Sequence, residues 1–366
     1  TLHQLETQKI DQLAVFTGVV KKSVSLPVIK DADDIWYCQR LLNEAFISLK
    51  QHQSGPVHIN IHLVGDTNAL WNESAKKLRN VQARKINYVS VDDTEMWQRM
   101  AKILSGKKRI IIVMGQDCSG DENLHQALIQ YCSYTQVPIL LDNLSNFRCS
   151  QMVWAEPVIK ALNANSIEEM LPEVVITFGN NFQERIKDLL KAHQGKFEHW
   201  SIDQEGVVRD VFKSQTALFE CKPAYFFNYF TKNVIPTDGT YCHRWQELAG
   251  AIKLPEMPFT NFYTIKEFSR VIPKDSILHL SILNATRLMQ FFEIDPSIKV
   301  YSNVNSFGID GCLPTFIGQS VATNKMSFLV IGDLSFFYAM NAIAIKHRKN
   351  NIRIMLINNG GGAEFH

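Results

Sequence analysis

The clearest alternation of apolar and polar blocks lies in the last third of the chain. Residues 327–331 (SFLVI) form a short apolar run of strand length, 335–347 (SFFYAMNAIAIKH) space their apolar residues at helical intervals, and Ile352–Ile357 (IRIMLI) is strand-like again. Strand, helix, strand predicts a parallel crossover. Upstream, a helix is expected over 35–51, leading into a strand over 56–63. Further strand candidates fall at 109–114, 138–141, Val174–Phe178 and 199–202, with helices filling the gaps between them. That order predicts a second parallel sheet. Residues 65–93 are polar and charged and read as a linker passing into a helix. Between Pro223 and Pro258, prolines and aromatics follow no clear period, as a connection between units would. The fold class is therefore α/β, built of successive doubly wound parallel-sheet domains.

Composition narrows the function classes only slightly. At 46% hydrophobic and 20% charged residues, with a formal net charge of +2, the chain lies near the average for globular proteins. No nucleic-acid partner is implied, and no apolar run approaches the roughly 18 residues of a membrane span. The seven cysteines are scattered, odd in number and without a C-x-x-C pair, which favours reduced thiols and a cytoplasmic location.

Candidate chemistry enters at the ends of the two C-terminal strands. Gly332-Asp333-Leu334-Ser335 follows the first, and about 25 residues later Asn358-Asn359-Gly360-Gly361-Gly362 follows the second. Open α/β sheets bind ligands at the carboxyl ends of their strands. A carboxylate and an amide oxygen are hard donors suited to Mg²⁺, which completes its octahedral shell with phosphate oxygens and water. Ser335 is placed to open the helix, whose free N–H groups would face the same phosphates. The glycines let the backbone approach closely, with the Gly361 carbonyl as a third protein ligand. Each half alone also reads as an ordinary turn: Gly-Asp as a strand-to-helix N-cap, Asn-Asn-Gly as a reverse turn.

Taken together, at this spacing, the two halves resemble the signature of thiamine diphosphate-dependent enzymes, in which Gly-Asp and a later Asn-Asn bracket one crossover. The Gly-Asp-Leu-Ser form, the YSNVNSFGIDG stretch from Tyr301 to Gly311, GPVHIN from Gly55 to Asn60 and PILLDNLSNFR from Pro138 to Arg148 are similar to the menaquinone-pathway branch of that family. The resemblance implies a thiamine diphosphate- and Mg-dependent decarboxylation of a 2-oxo acid, 2-oxoglutarate-like, followed by carboligation to an acceptor. It also implies small-molecule substrates, with neither nucleic acid nor membrane as partner, and a homodimer or homotetramer. The domains it implies are residues 1–66, the C-terminal part of a pyrimidine-binding domain; 67–235, a linker and middle α/β domain; 236–258, a connection; and 259–366, a diphosphate- and Mg-binding domain. GPVHIN normally closes the pyrimidine domain, so the first domain is expected to be incomplete here, as is the last. The glutamate that activates the cofactor is expected before Thr1.

Residue roles are carried over from the same resemblance. Asp333, Asn359 and Gly361 hold the metal. Gly332, Leu334 and Ser335 meet the cofactor, and Ile309 is the large aliphatic residue that bends it into its reactive shape. Arg287 matches an arginine that grips a substrate carboxylate. Gln8 matches a segment that reaches substrate from the first domain, and Phe365 lies where the family lines the substrate side, beside Glu364. The chain departs from the branch at Ser302-Asn303-Val304-Asn305, where an arginine is replaced by Val304, and at Glu184-Arg185, where the branch has Lys-Arg. Both changes weaken the case for a dicarboxylate. Two alternatives follow: a paralogue acting on another 2-oxo acid, or a non-catalytic subunit that keeps the fold for cofactor binding and assembly.

Other motifs carry less. Gly115-Gln116-Asp117-Cys118-Ser119-Gly120 lacks the residues of a P-loop or a dinucleotide fingerprint and reads as a strand-to-helix turn. Cys242-His243 has no second pair at zinc spacing. His58, within GPVHIN, reads as a packed histidine.

Overall fold

The computed structural model describes residues 11–52, 54–62, 84–304 and 308–362, except the side chains of Ala164 and Asn165. Gln8, Glu364 and Phe365 lie outside the described residues, as does most of the expected linker. Thirteen described strands form three sheets, and every pairing between them is parallel. The first sheet pairs β1 (Lys22–Leu26) with β2 (Val57–Ile61), against the helix Ala32–Ser48. The second comprises β3 (Asn87–Ser90), β4 (Ile110–Met114), β5 (Ile139–Leu141), β6 (Met152–Trp154), β7 (Val174–Phe178), β8 (Glu198–Ile202) and β9 (Gln215–Glu220), in the order β3-β9-β8-β7-β4-β5-β6. The third comprises β10 (Ile277–Leu280), β11 (Lys299–Ser302), β12 (Ser327–Gly332) and β13 (Ile352–Ile357), in the order β11-β10-β12-β13.

The central strands are the apolar runs that the pattern picked out. All five residues of β4 and of β7 are buried, as expected when helices cover both faces of a parallel sheet. The strands that the pattern did not pick out, among them β3, β6 and β9 to β11, are mostly short and interrupted by polar residues. β3 falls inside the stretch expected to be linker, where it adds an edge to the seven-stranded sheet by pairing with β9.

Two expectations give way. Residues 223–258 are not a bare connection: they hold the helices Pro223–Asn233 and Thr240–Ala251. Phe226, Phe227 and Phe230 of the first join Trp97 and Phe219 on one side of the seven-stranded sheet, while Tyr241 and Trp245 of the second join Phe212 on the other. Both sets recur at i, i+1, i+4 or i, i+4, a helical face, and Pro223 sits at the first turn, where its missing N–H costs nothing. The helix expected over 335–347 is also shorter. It runs Asp333–Tyr338 with Gly332 in the N-cap position, so Ser335 lies inside the first turn, and a 3₁₀ segment Met340–Ala344 follows. Phe337, Tyr338 and Met340 are at least half exposed. Phe336, Ala339, Ala342 and Ile343 pack against the core beside the four-stranded sheet, so only part of the apolar surface of this segment is covered among the described residues; a helix draws most of its stability from such packing.

The seven- and four-stranded sheets meet at their carboxyl ends. Asn146, held in the left-handed region at φ 51°, donates to the Val300 carbonyl at 2.9 Å and accepts from its N–H at 2.8 Å. Buried Asn143 donates to the Met289 and Phe292 carbonyls, each at 3.0 Å. The PILLDNLSNFR stretch thus forms β5 and then clamps the C-terminal sheet. Gly115 serves this junction too: a side chain there would collide with the Asn180 carbonyl, and the next residue, Gln116, bridges to Asn180 and donates to the Ser302 carbonyl at 3.0 Å. The turn expected here is structural. No helix among the described residues is long and apolar enough to cross a membrane.

Candidate active site

Strand order reverses between β10 and β12, and α/β sheets form their ligand crevices at such a point. A cavity of about 580 Å³ opens there. Its wall comes mainly from the ends of four strands: residues 281–285 after β10, Gly308, Ile309 and Asp310 after β11, Gly332 to Ser335 from the end of β12, and Ile357, Asn359, Gly361 and Gly362 from β13 onward, with Asn261 and Tyr338 beside them. The cavity thus unites Ile309, Gly332, Asp333, Leu334, Ser335, Asn359 and Gly361, each of which the sequence pattern or the resemblance had singled out.

Local geometry fixes each part. Asp333 is buried, and its Oδ1 accepts the N–H of Leu334 at 2.7 Å. Ser335, also buried, donates its hydroxyl to the Ile309 carbonyl at 2.5 Å, tying the loop after β11 to the helix after β12. Asn358 Oδ1 accepts from the Gly360 N–H at 3.4 Å, and Gly360 turns the chain at φ +82°, a conformation that favours glycine. A Cβ on Gly362 would come within 2.6 Å of Leu334 Cδ1, the movable end of a half-exposed leucine, so the two residues are in close approach at this rim. Among the described residues there is no cluster of three His, Cys, Asp or Glu able to hold a metal. One carboxylate, one amide oxygen and a backbone carbonyl instead make a hard-oxygen set that fits Mg²⁺ when phosphate oxygens and water complete the shell.

Arg287 lies elsewhere, in a second cavity of about 200 Å³ between the seven- and four-stranded sheets. Ile282 and Leu283 line both cavities and form the wall between them. Arg287 Nη2 pairs with Glu184 Oε2 at 3.3 Å across this gap. Glu156 receives hydrogen bonds from Gln183 and, at 2.6 Å, from Arg185 Nε; burial raises its carboxyl pKa, against the pull of Arg185. Asp142 is pushed up to about 6 by burial, opposed by the N–H groups of Leu144 and Ser145. Val304, the apolar replacement noted in the sequence, lines this cavity as well.

Sequence reasoning missed residues 281–283, because β10 itself went unread. The signal was Ile277 to Leu280, an apolar run broken by His279. That histidine is buried against Tyr301 and Phe316, donates Nε2–H to Gln319 Oε1, and is pushed down to about 4 by burial. Leu283 adopts φ 65° and ψ −123°, a strained conformation for a non-glycine residue and of the kind that gathers at functional sites. His58 is packed as expected, edge-on to Phe16 with Nδ1 at 2.8 Å from Ser23 Oγ.

No family model matches the chain. It is similar to curated proteins named 2-succinyl-5-enolpyruvyl-6-hydroxy-3-cyclohexene-1-carboxylate synthase. The protein of that name from Bacteroides fragilis is 33% identical over 377 residues, which cover 100% of this chain and 65% of the relative. The one from Bacteroides thetaiotaomicron is 32% identical, covering 99% and 65%, and the one from Desulfotalea psychrophila 29% identical, covering 99% and 67%. The chain therefore spans about two thirds of the length of the relatives it matches. In fold it is similar to the solved structure of a candidate thiamin diphosphate-dependent enzyme from Mycobacterium smegmatis, with a TM-score of 0.51 at 16% identity over 97% of this chain and 68% of that one. The parallel sheets and the likeness along the whole chain agree: this chain is similar over its full length to these synthases and shares the fold of a thiamin diphosphate-dependent enzyme.

Proposed function

We propose that the protein binds thiamine diphosphate and Mg²⁺ at the switch-point cavity and decarboxylates a 2-oxo acid, joining the remainder to a small-molecule acceptor, as the name of its relatives implies. The observation that carries this reading is the convergence of Asp333, Asn359, Gly361 and Ile309, from four strand ends, on one cavity.

In this reading Asp333, Asn359 and the Gly361 carbonyl hold the metal ion, and the backbone of Gly332, Leu334 and Ser335 meets the diphosphate. Burial of Asp333 serves that role, since a desolvated carboxylate attracts a cation more strongly than an exposed one. Ser335 anchors the Ile309 backbone through its hydroxyl, so the aliphatic side chain keeps a fixed position in the cavity. When bound, thiamine diphosphate supplies a nucleophilic carbon and an electron sink for the decarboxylation. Ile282 and Leu283 separate this chamber from the Arg287 cavity, where the arginine is placed to receive a carboxylate of the substrate. Gln8 and Phe365 complete the substrate side by resemblance alone.

The uncovered apolar residues Phe337, Tyr338 and Met340 beside the cavity support assembly with another copy, as a homodimer or homotetramer. Seven free cysteines fit a reducing, cytoplasmic setting. The test of the reaction is CO₂ release by the full-length protein across a panel of 2-oxo acids with thiamine diphosphate and Mg²⁺. Release that needs both supports the reading, whereas binding without release from any 2-oxo acid would leave a cofactor-binding assembly subunit.

A further inference from the structure

We propose that Glu184 is an internal latch on the Arg287 cavity: its carboxylate occupies the guanidinium until the distal carboxylate of a 2-oxo acid displaces it, which sets how strongly dicarboxylates are bound. The inference rests on the proposed function and deepens it toward substrate class.

Four observations carry it. Glu184 opens a helix after β7 of the seven-stranded sheet, while Arg287 lies after β10 of the other sheet, so their 3.3 Å pair spans the cavity rather than one element. Both side chains are about half exposed, at 52% and 44%, so the pair is solvent-screened and weak enough to open. The other two carboxylates of the cavity make their hydrogen bonds elsewhere, Glu156 with Arg185 and Gln183 and Asp142 with the Leu144 N–H at 2.8 Å, although Glu156 also feels the charge of Arg287. Finally, Asn181 and Gln290 line the cavity, and their amide nitrogens Nδ2 and Nε2 are buried with no hydrogen-bond partner among the described residues, Gln290 being only 3% exposed. A buried donor without an acceptor is costly, and a carboxylate entering beside Arg287 would supply acceptors for both. The cavity is thus furnished to receive an anion, with its cation held by an anion of the chain itself.

The test is calorimetric titration of the full-length protein, loaded with thiamine diphosphate and Mg²⁺, with 2-oxoglutarate and with 2-oxobutyrate, which lacks the distal carboxylate. Glu184→Gln and, as a second variant, Glu184→Ala should bind 2-oxoglutarate roughly two- to fivefold more tightly, the worth of one exposed ion pair, with 2-oxobutyrate unmoved. Arg287→Gln should abolish that gain in the Glu184→Gln background. An unchanged or weakened 2-oxoglutarate affinity in both Glu184 variants, or an equal gain for 2-oxobutyrate, overturns the latch. Cofactor binding is titrated separately: its absence would overturn the proposed function, whereas intact cofactor binding with an unmoved 2-oxoglutarate affinity would overturn the latch alone.

Discussion

Asp333 combines two properties that rarely meet: it is a carboxylate buried to 7% exposure, and it lines a cavity without an ion pair among the described residues. Such a group is costly unless something positive joins it. Asp333→Asn keeps the shape and removes the charge, so Mg²⁺-dependent cofactor affinity should fall by roughly 100-fold or more while the thermal midpoint stays or rises. Titration of the variant against wild type, with a melting curve beside it, checks both halves. Two buried histidines set the pH response. Burial holds His199 and His279 down to about 4, below the ordinary 6.5, so between those values the unfolded chain binds more protons and stability falls on acidification. Asp142, raised to about 6 from 3.8, works in the opposite sense over a similar window and offsets part of the loss. Urea unfolding at pH 7 and pH 5 should show the protein less stable at pH 5, by on the order of 1 kcal/mol; equal or greater stability at pH 5 would contradict this assignment.

At the scale of elements, what was legible depended on how completely each element is buried. β4, β7 and β12 are apolar along nearly their whole length and could be read directly. β10 and β11 carry His279, Lys299 and Ser302, and such short mixed strands give no period; only pairing with β12 and with each other defines them. The helix after β12 shows the converse failure: helical spacing persists past Tyr338, but with Phe337, Tyr338 and Met340 exposed and only part of the apolar surface packed, the chain passes into a 3₁₀ segment. The helix Pro223–Asn233 was hidden by prolines and aromatics that look aperiodic until Phe226, Phe227 and Phe230 are seen to share one face. Phe230 packs with its ring centroid 4.3 Å from that of Phe226 and is fully buried. Phe230→Ala should cost about 3–5 kcal/mol in urea unfolding, with cofactor binding retained at temperatures where the variant is folded. A loss below about 1 kcal/mol would mean that this helix does not anchor the seven-stranded sheet.

For the molecule as a whole, the metal and diphosphate motifs were visible in sequence because each sits in a contiguous run at the end of a strand. Arg287 and Glu184 were singled out only through the resemblance, and their meeting with Leu283 in one cavity was not legible, since they follow strands of two different sheets and no local pattern joins residues about 100 positions apart. The clamp of Asn143 and Asn146 on Met289, Phe292 and Val300 ties the middle sheet to the C-terminal sheet that carries the switch-point cavity. The central claim is that the switch-point cavity binds thiamine diphosphate through a metal ion held by Asp333 and Asn359. Calorimetric titration of the full-length protein with thiamine diphosphate, with Mg²⁺ and then with Mg²⁺ chelated, tests it most directly. The account predicts saturable binding of one cofactor per chain that is lost on chelation and in Asp333→Asn; no binding with Mg²⁺ present, or binding indifferent to both changes, would contradict it.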